Sequence, residues 1–433
     1  MKRSRYVVKV KSEENHILYN IRTGRGLKYS KSIKVWDHPS LQSYLVKNKF
    51  LIQDNEREDE EVLENYKMKR MQNRTLHLII LPHENCNFRC VYCYEKFERN
   101  KMLPEVEQGL KKYIAQELAS GRYKHFTVSW FGGEPLLGID VMERLSAFII
   151  QQCEKYDVHY SAGITTNGYL ITKKNLEKLD KMKVYNYQVT IDGVKEVHDQ
   201  QRIQKDGSGT YDTILKNLIT MKNSNKKFRV LLRMNVSPDN YQEVEAHIKK
   251  MEDTFEKDSR FELYFHNIGH WGGENDDHVE ICKENMMVKL LQQSSQKKIP
   301  TMSAKALIKP DNVCYAADPK SFVIGTDGTV YKCTVALYDE RNQVGQLTEA
   351  GNINLDQSKF ALWVDQGIAD KRCGSCYLAP SCHGDSCPLI RMQTGSQPCP
   401  DFKNDMSKLV EILDIQGHRF DEVKLKQEVT SDA

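Results

Sequence analysis

Three cysteines, Cys86, Cys90 and Cys93, stand in the run CNFRCVYC directly after an apolar stretch, Leu76–Leu81. Thiolates separated by three and then two residues can wrap one loop around a face of a 4Fe–4S cubane. They leave its fourth iron without a protein ligand. A cluster that only passes electrons is normally held by four cysteines, so an open iron points to chemistry performed at that iron. A zinc loop needs paired Cys-x-x-Cys units and a fourth Cys or His close by. His83 lies three residues upstream and is poorly placed to close such a site.

A second group of thiols lies near the other end: Cys314, Cys333, Cys373, Cys376, Cys382, Cys387 and Cys399. One four-thiol set by itself could be a zinc ribbon, but seven thiols beside an open-iron loop exceed that explanation. The chain has twelve cysteines, of which only Cys153 and Cys282 stand outside the two groups and read as structural thiols. In a reducing compartment such clustering means metal rather than disulfides.

The elements that must position these thiols alternate between strand and helix. Strand-like runs are Leu76–Leu81, Phe126–Phe131, Gly163–Thr166, Tyr187–Ile191, Val230–Val236 and Phe261–His266. Amphipathic segments lie between them, among them Val141–Lys155, Lys173–Met182, Tyr211–Asn223 and Tyr241–Thr254. Six β/α units in series predict a parallel sheet with right-handed crossovers, an α/β fold. A closed barrel needs eight, so the expectation is an open, partial (β/α)6 TIM-like barrel with ligands at the C-terminal ends of its strands. The cysteine loop follows the first of those strands.

Residues 1–72 read as a separate small α+β unit, with strand-like Tyr6–Val10 and His16–Tyr19, a helical Leu41–Phe50 and a charged helix over Glu60–Met71. The barrel takes 73–300. Residues 301–415 form a loop-rich, Cys-rich region with short strands Ser321–Ile324 and Val330–Cys333 and a helix over Asp405–Ile415, its order owed largely to metal. Residues 416–433 read as a frayed polar tail.

Charge is nearly balanced, 63 basic against 59 acidic residues, which argues against a nucleic-acid partner. Residues 1–50 nevertheless hold 12 Lys/Arg against 3 Asp/Glu, and Asp54–Glu64 reverses the sign. Such runs are commonly solvated faces; the functional reading is a basic surface for an acidic peptide. No apolar run reaches the length of a membrane span, and MKRSRYVVKV lacks the apolar core of a secretory signal, so a cytoplasmic location is expected.

With these residues in view the chain resembles the radical S-adenosylmethionine (SAM) superfamily, whose open iron chelates the amino and carboxylate groups of SAM. The resemblance implies a reductive C–S cleavage that releases a 5′-deoxyadenosyl radical. It extends to WFGGEP (130–135), similar to the family's glycine-rich motif: Gly132 and Gly133 give a close backbone approach, and Glu134 accepts from the SAM ammonium. By the same resemblance Tyr92 borders adenine, and Thr166 and Asn167 of ITTNG (164–168) contact ribose. Thr190 of VTIDG (189–193) offers its hydroxyl to the carboxylate, and Arg233 suits carboxylate recognition. HDQQR (198–202) resembles a His-Asp-x-x-Arg element of members with a cluster-bearing extension, although Asp199 and Arg202 read equally well as a structural pair.

The C-terminal thiols resemble the SPASM extension of peptide-modifying members, and together with the first motif the resemblance covers about residues 76–402. It implies three 4Fe–4S clusters. Cys373, Cys376, Cys382 and Cys399 would hold one auxiliary cluster, and Cys314, Cys333 and Cys387 another. Two departures stand out. Four residues rather than three separate Cys382 from Cys387, and no second Cys follows Cys314, so Asp318, Cys282 or an external ligand would complete that cluster. Residues 1–70 loosely resemble elements that bind leader peptides by strand addition. The implied function is a maturase that cross-links a ribosomally made precursor peptide, most simply by a Cys thioether, with an electron donor such as flavodoxin or ferredoxin. The alternatives are an anaerobic sulfatase maturase, which oxidises Cys or Ser to formylglycine, and a non-catalytic zinc or iron–sulfur protein.

Overall fold

The computed structural model describes residues 1–11, 15–256, 258–272, 279–282, 286–365 and 371–423. Near the N-terminus β1 (Val7–Lys11), β2 (Asn15–Asn20) and β3 (Arg25–Ser30) form an antiparallel meander. Two helices follow, α1 (Gln42–Lys47) and α2 (Glu58–Gln72). The second starts two residues before its expected first turn, with Glu58–Glu61 placing four acids against the positive helix end.

The β/α alternation is as expected: β4 (Thr75–His83), α3 (Pro104–Ala119), β5 (His125–Gly132), α4 (Ile139–Lys155), β6 (His159–Thr166), α5 (Lys173–Lys181), β7 (Val184–Thr190), α6 (Tyr211–Lys222), β8 (Arg229–Val236), α7 (Val244–Phe255) and β9 (Phe261–Asn267). Neighbouring strands from β4 to β9 pair in parallel. In α7 the buried residues Val244, Ile248, Met251 and Phe255 mark one stripe, so a sparsely apolar segment still has an inward face.

Alternation along each strand separates two environments. Val128, Ile164, Val189, Leu232 and Leu263 pack into one core with the helices. The opposite face is polar: Thr127 bonds Ser161, Ser129 bonds His77, and Ser129, Thr165 and Gln188 line a hollow of about 350 Å3. The partial barrel is open.

The sheet does not end where the alternation does. After α8 (Met286–Ser295), β10 (Ser321–Ile324) joins the free side of β4 in parallel, and β11 (Thr329–Tyr331), β12 (Gln343–Leu347) and β13 (Ile353–Leu355) extend it antiparallel. The sheet order is β9-β8-β7-β6-β5-β4-β10-β11-β12-β13. The cysteine-rich region is thus grafted onto the strand that carries the first cysteine loop.

Two further expectations change. The N-terminal unit is not freestanding: Val10, Ile17, Tyr19 and Ile21 share a core with α8, with α9 (Met406–Ile415), and with Leu378 and Cys382. The stretch expected to be frayed contains β14 (Asp421–Val423), which pairs in parallel with β3. The rest of that stretch, 424–433, lies outside the described residues.

Helix α2 is locked to the cysteine-rich loops by buried polar contacts. Tyr66 donates to Asp385 at 2.8 Å, and Arg391 donates to the other oxygen of the same carboxylate at 3.1 Å. Tyr66 also stacks on His383, with ring centroids 3.9 Å apart. Removing Asp385 strands the buried Arg391 charge, which costs about 3–5 kcal/mol, against about 1.5–3 kcal/mol for the one hydrogen bond to the carboxylate that Tyr66 makes. In thermal melts Asp385→Ala is therefore expected to lower the midpoint clearly more than Tyr66→Phe.

Candidate active site

The first cysteine loop is stapled on three sides. Gly132 has φ +124°, and a Cβ there would run into the His83 carbonyl; at Gly133 a Cβ would lie 2.6 Å from the Glu84 carbonyl. The two glycines let backbone approach backbone, here the cysteine loop itself, and Glu134 N donates to the Asn85 carbonyl at 3.1 Å. On the second side Phe88–Cys90 pairs antiparallel with Arg202–Gln204, Cys90 opposite Arg202. On the third, Glu84 accepts from Thr326 N and Thr326 Oγ1, both at 2.7 Å, tying the loop to the β10–β11 turn.

Around this loop the strand ends deliver the expected polar residues. Glu134 is fully buried; Oε1 accepts from Leu136 N and Thr166 Oγ1, and Oε2 from Asn167 N at 2.8 Å. Oε2 keeps a lone pair for another donor. Asn167 turns its amide to Asn87 at 2.8 Å and to the Cys86 sulfur at 3.7 Å. Thr190 is buried at the end of β7, in register with Arg233 on β8, and Arg233 donates to Asn235 at 2.7 Å.

Buried Arg202, Asp192 and Asn235 form one network with the half-buried Tyr92. The Tyr92 hydroxyl donates to Asp192 and accepts from Arg202 at 2.6 Å and from Asn235 at 3.0 Å. Asp192 also accepts from Asn235 N at 2.7 Å. Asp199 and Arg202 do not pair. Asp199 accepts from Thr210 N and Tyr211 N and caps α6, while Arg202 points at Tyr92 and Asp192, and its Nε has no protein partner. Asp192 and Asn235 escaped sequence reasoning, although both stand at C-terminal strand ends, the position that should have drawn attention to them.

The thiols gather into three groups. Burial pushes Cys86 up to about 12, with further upward pressure from Glu134 and Cys90; burial also raises Cys90, opposed by Arg202. Cys93 is raised well above the usual thiol range by burial and by Cys90. Burial pushes Cys314 up to about 12, with Cys333 and Cys387 adding to it, and Cys333 up to about 11, with Cys387 adding. Burial pushes Cys382 up to about 11, with Cys376, Cys373 and Cys399 adding. The extra residue before Cys387 is taken up in a turn where His383 and Gly384 are both left-handed, φ 48° and 75°. Cys282 sits elsewhere, its sulfur 4.0 Å from the Val236 carbonyl, and the Asp318 carboxylate accepts from Asn73 and from Lys320 N.

The donor sets fit iron–sulfur cores. Among the described residues no three His, Cys, Asp or Glu side chains converge on one ion. Cys373, Cys376, Cys382 and Cys399 instead line a cavity of about 110 Å3, several times the ~30 Å3 share of one water. Packed protonated thiols are what a cationic core would deprotonate. The free Arg202 Nε–H beside Cys90 is a donor for an anionic group at the first site.

The radical SAM superfamily profile matches residues 80–251, the segment that carries the end of β4, this loop and the barrel strands β5 to β8. Residues 80–251 are thus a radical SAM domain, and that implies a 4Fe–4S cluster and SAM. The chain is 24% identical over 335 residues to a cysteine-type anaerobic sulfatase-maturating enzyme of Clostridium novyi, 71% of this chain and 87% of that protein. It is 28% identical over 170 residues to the radical SAM cyclopropyl synthase TigE of Paramaledivibacter caminithermalis, about a third of each (36% and 34%). The fold is shared with the SAM-bound sulfatase maturase anSMEcpe (TM-score 0.58, 19% identity, 78% of this chain and 97% of that one). It is shared also with SuiB of Streptococcus suis bound to its precursor peptide SuiA (TM-score 0.52, 14% identity, 92% and 97%). Among the described residues no helix is long and apolar enough to cross a membrane.

Burial pushes the Glu134 carboxyl up to about 7, against hydrogen bonds from Asn167, Leu136 and Thr166 that pull it down. The folded state therefore keeps a proton that the unfolded chain releases near 4.5. Stability is lost as pH rises from about 4.5 through about 7, by about 3 kcal/mol at most. In the unloaded protein the thermal midpoint is expected to fall more between pH 5 and pH 8 than in Glu134→Gln, which keeps the acceptor and cannot ionise.

Proposed function

We propose that the protein is a peptide maturase that installs a cross-link, a Cys thioether, in a ribosomally made precursor. The observation that carries this reading is the cleft between the barrel mouth and the C-terminal thiols. It holds about 470 Å3, and Tyr264, His266 and Trp271 on or just after β9 face Cys387, Cys399 and Phe402 across it. That is room for a short extended peptide segment beside thiols of both C-terminal groups.

In this reading Cys86, Cys90 and Cys93 hold the 4Fe–4S cluster that, with SAM, supplies a 5′-deoxyadenosyl radical. Glu134 takes the SAM ammonium on its free Oε2 lone pair, and the Arg202 Nε–H and Arg233 supply positive charge for its carboxylate. Thr190 adds a hydroxyl. Tyr92, its hydroxyl fixed by Asp192 and Asn235, would border the adenine, and Asn167 would orient both the Cys86 thiolate and the turn after β6. Cys373, Cys376, Cys382 and Cys399 hold one auxiliary cluster. Cys314, Cys333 and Cys387 hold another and leave one position to an external thiolate, a soft ligand suited to iron. The Asp318 bonds to Asn73 and Lys320 favour that arrangement. Overall, one S–H and one C–H of the peptide would become one C–S bond. The C–H hydrogen would leave in 5′-deoxyadenosine, the thiol hydrogen as a proton, and the electron released on bond formation would return to an iron–sulfur centre. SAM is thus the net oxidant, and the product is two hydrogens lighter.

A second reading, formylglycine formation on a sulfatase, is favoured by the likeness to the Clostridium novyi enzyme across 87% of that protein. The basic N-terminal sheet, packed into the core of the cysteine-rich region, favours the peptide maturase.

Changing Cys86, Cys90 and Cys93 together to Ala is expected to abolish 5′-deoxyadenosine formation while leaving acid-labile sulfide bound by the other thiols. Undiminished 5′-deoxyadenosine would refute the assignment. Incubating the reduced enzyme, SAM and the peptide encoded beside its gene should give a product two hydrogens lighter whose Cys resists alkylation. If the lighter product's Cys still alkylates, the bond is carbon–carbon. An aldehyde on a sulfatase Cys or Ser identifies the second reading.

A further inference from the structure

Lys332 directly precedes Cys333, just after β11, and is completely buried. Its ammonium lies 4.9 Å from the centroid of the Phe322 ring and 5.3 Å from that of Phe360. Nζ donates to the Asp318 carbonyl at 2.6 Å and to the Ser321 carbonyl. The backbone is fixed as well. Lys332 N and Cys333 N both donate to Asn342 Oδ1 at 2.9 Å, and Asn342 Nδ2 donates to the Cys333 carbonyl at 2.8 Å.

Carbonyls and ring faces solvate a cation without cancelling its charge. A buried ammonium is strongly unfavourable unless a negative charge stands near it. Among the described residues no carboxylate makes an ion pair with Lys332. Asp318 is an acid whose charge reaches it, but that carboxylate is bonded to Asn73 and to Lys320 N. The Arg70 guanidinium, bonded to the Ala317 carbonyl, acts on Lys332 in the opposite sense. Sulfur is the remaining partner. Burial raises the Cys314 thiol, and the Lys332 charge pulls it back down. Lys332 therefore adjoins one thiol of the Cys314, Cys333 and Cys387 group in the chain and acts on another through space.

We propose that the Lys332 ammonium is the built-in counter-charge of an iron–sulfur cluster held by Cys314, Cys333 and Cys387, and that it sets that cluster's reduction potential higher than a neutral residue would. The counter-charge rests on reading those three thiols as cluster ligands, and not on which bond the enzyme forms. A cubane bound by three or four thiolates is anionic in both oxidation states, and the charge around it tunes its potential. Reduction adds one negative charge, so a fixed cation stabilises the reduced form more than the oxidised one. The low dielectric of a buried site strengthens that preference, and an ammonium already clamped by two carbonyls has nothing to reorganise. A cluster with this neighbour is suited to take up the electron released when a peptide radical closes a bond. If Lys332 served only as a clasp between the Asp318–Ser321 turn and β11, its charge would matter for folding and leave the potential unmoved.

The test uses the full-length protein, loaded with iron and sulfide under anaerobic conditions and titrated with dithionite while EPR is recorded. The signal to follow is the one absent from the Cys314→Ala/Cys333→Ala/Cys387→Ala variant. In Lys332→Gln, whose neutral amide can still donate to both carbonyls, its midpoint should fall by at least a tenfold change in the reduction equilibrium, about 59 mV for one electron. Lys332→Arg keeps the charge and should stay closer to wild type. An unshifted midpoint in Lys332→Gln overturns the counter-charge, as does an equal fall in both variants. If the triple Cys variant keeps every signal and its full iron and sulfide content, the cluster reading of those thiols fails and the counter-charge with it. That result is distinct from a cluster that is present and does not respond to Lys332. A second measurement keeps the wild-type lysine in place. In [15N]lysine-labelled protein the Lys332 ammonium resonance, assigned by its loss in Lys332→Arg, should move when the protein is reduced and stay still in the triple Cys variant. A resonance that holds its position on reduction of the wild type overturns the proposal.

Discussion

The close backbone approach between the loop of residues 83–93 and the Gly132–Gly133 turn is the constraint on which the rest of the site depends. The loop has no helix or long ladder of its own and must present three sulfurs on one side. It is held because β4 and β5 are neighbours in register, so their C-terminal extensions run side by side, and because two residues without Cβ atoms let carbonyls sit where side chains would be. Glu134 then reaches across from the same turn to the end of β6, joining three strand ends through one carboxylate. Any side chain at Gly133 would push the loop from the strand ends that supply its polar surroundings.

Beyond this frame the site is organised by charge kept out of water. Asp192 and Arg202 are buried, Tyr92 is half-buried beside them, and the three are bonded to one another and to Asn235, an arrangement costly when incomplete and rigid when complete. The network leaves the Arg202 Nε–H unspent next to Cys90. Fixed donors in a dry site bind an anionic group without reorganising at the moment of reaction. Glu134 shows the other side of that economy: the burial that raises its proton affinity also makes it a strong acceptor for an incoming cation.

The cysteine-rich region works as an extension of the barrel because it continues the same sheet. Through β10 it is hydrogen-bonded to β4, and through Thr326 to the cysteine loop, so the first thiol group and the C-terminal ones belong to one continuous framework. The N-terminal sheet joins from the opposite side through α8 and α9. A peptide held at that sheet and one held in the cleft lined by Cys387 and Cys399 would therefore contact a single packed body.

The order of strands and helices from residue 75 to 267 was legible because each element carries its own hydrophobic period and its own breakers. Cys86–Cys93 and Cys373–Cys399 were legible as groups because their thiols stand at short, local spacings. The sequence by itself determined the α/β class, the open barrel and the residues of the cysteine loop. Only the tertiary structure decided where Arg202 points, since its partners Tyr92 and Asp192 lie 110 and 10 residues away and Asp199 was an equally good partner on paper. The same holds for Asp385, whose contacts come from α2 and from Arg391, and for β14, a polar segment that pairs because an open strand edge lies beside it. Local propensity carries no information about such distant partners; burial and unmet hydrogen bonds select them once the chain has folded.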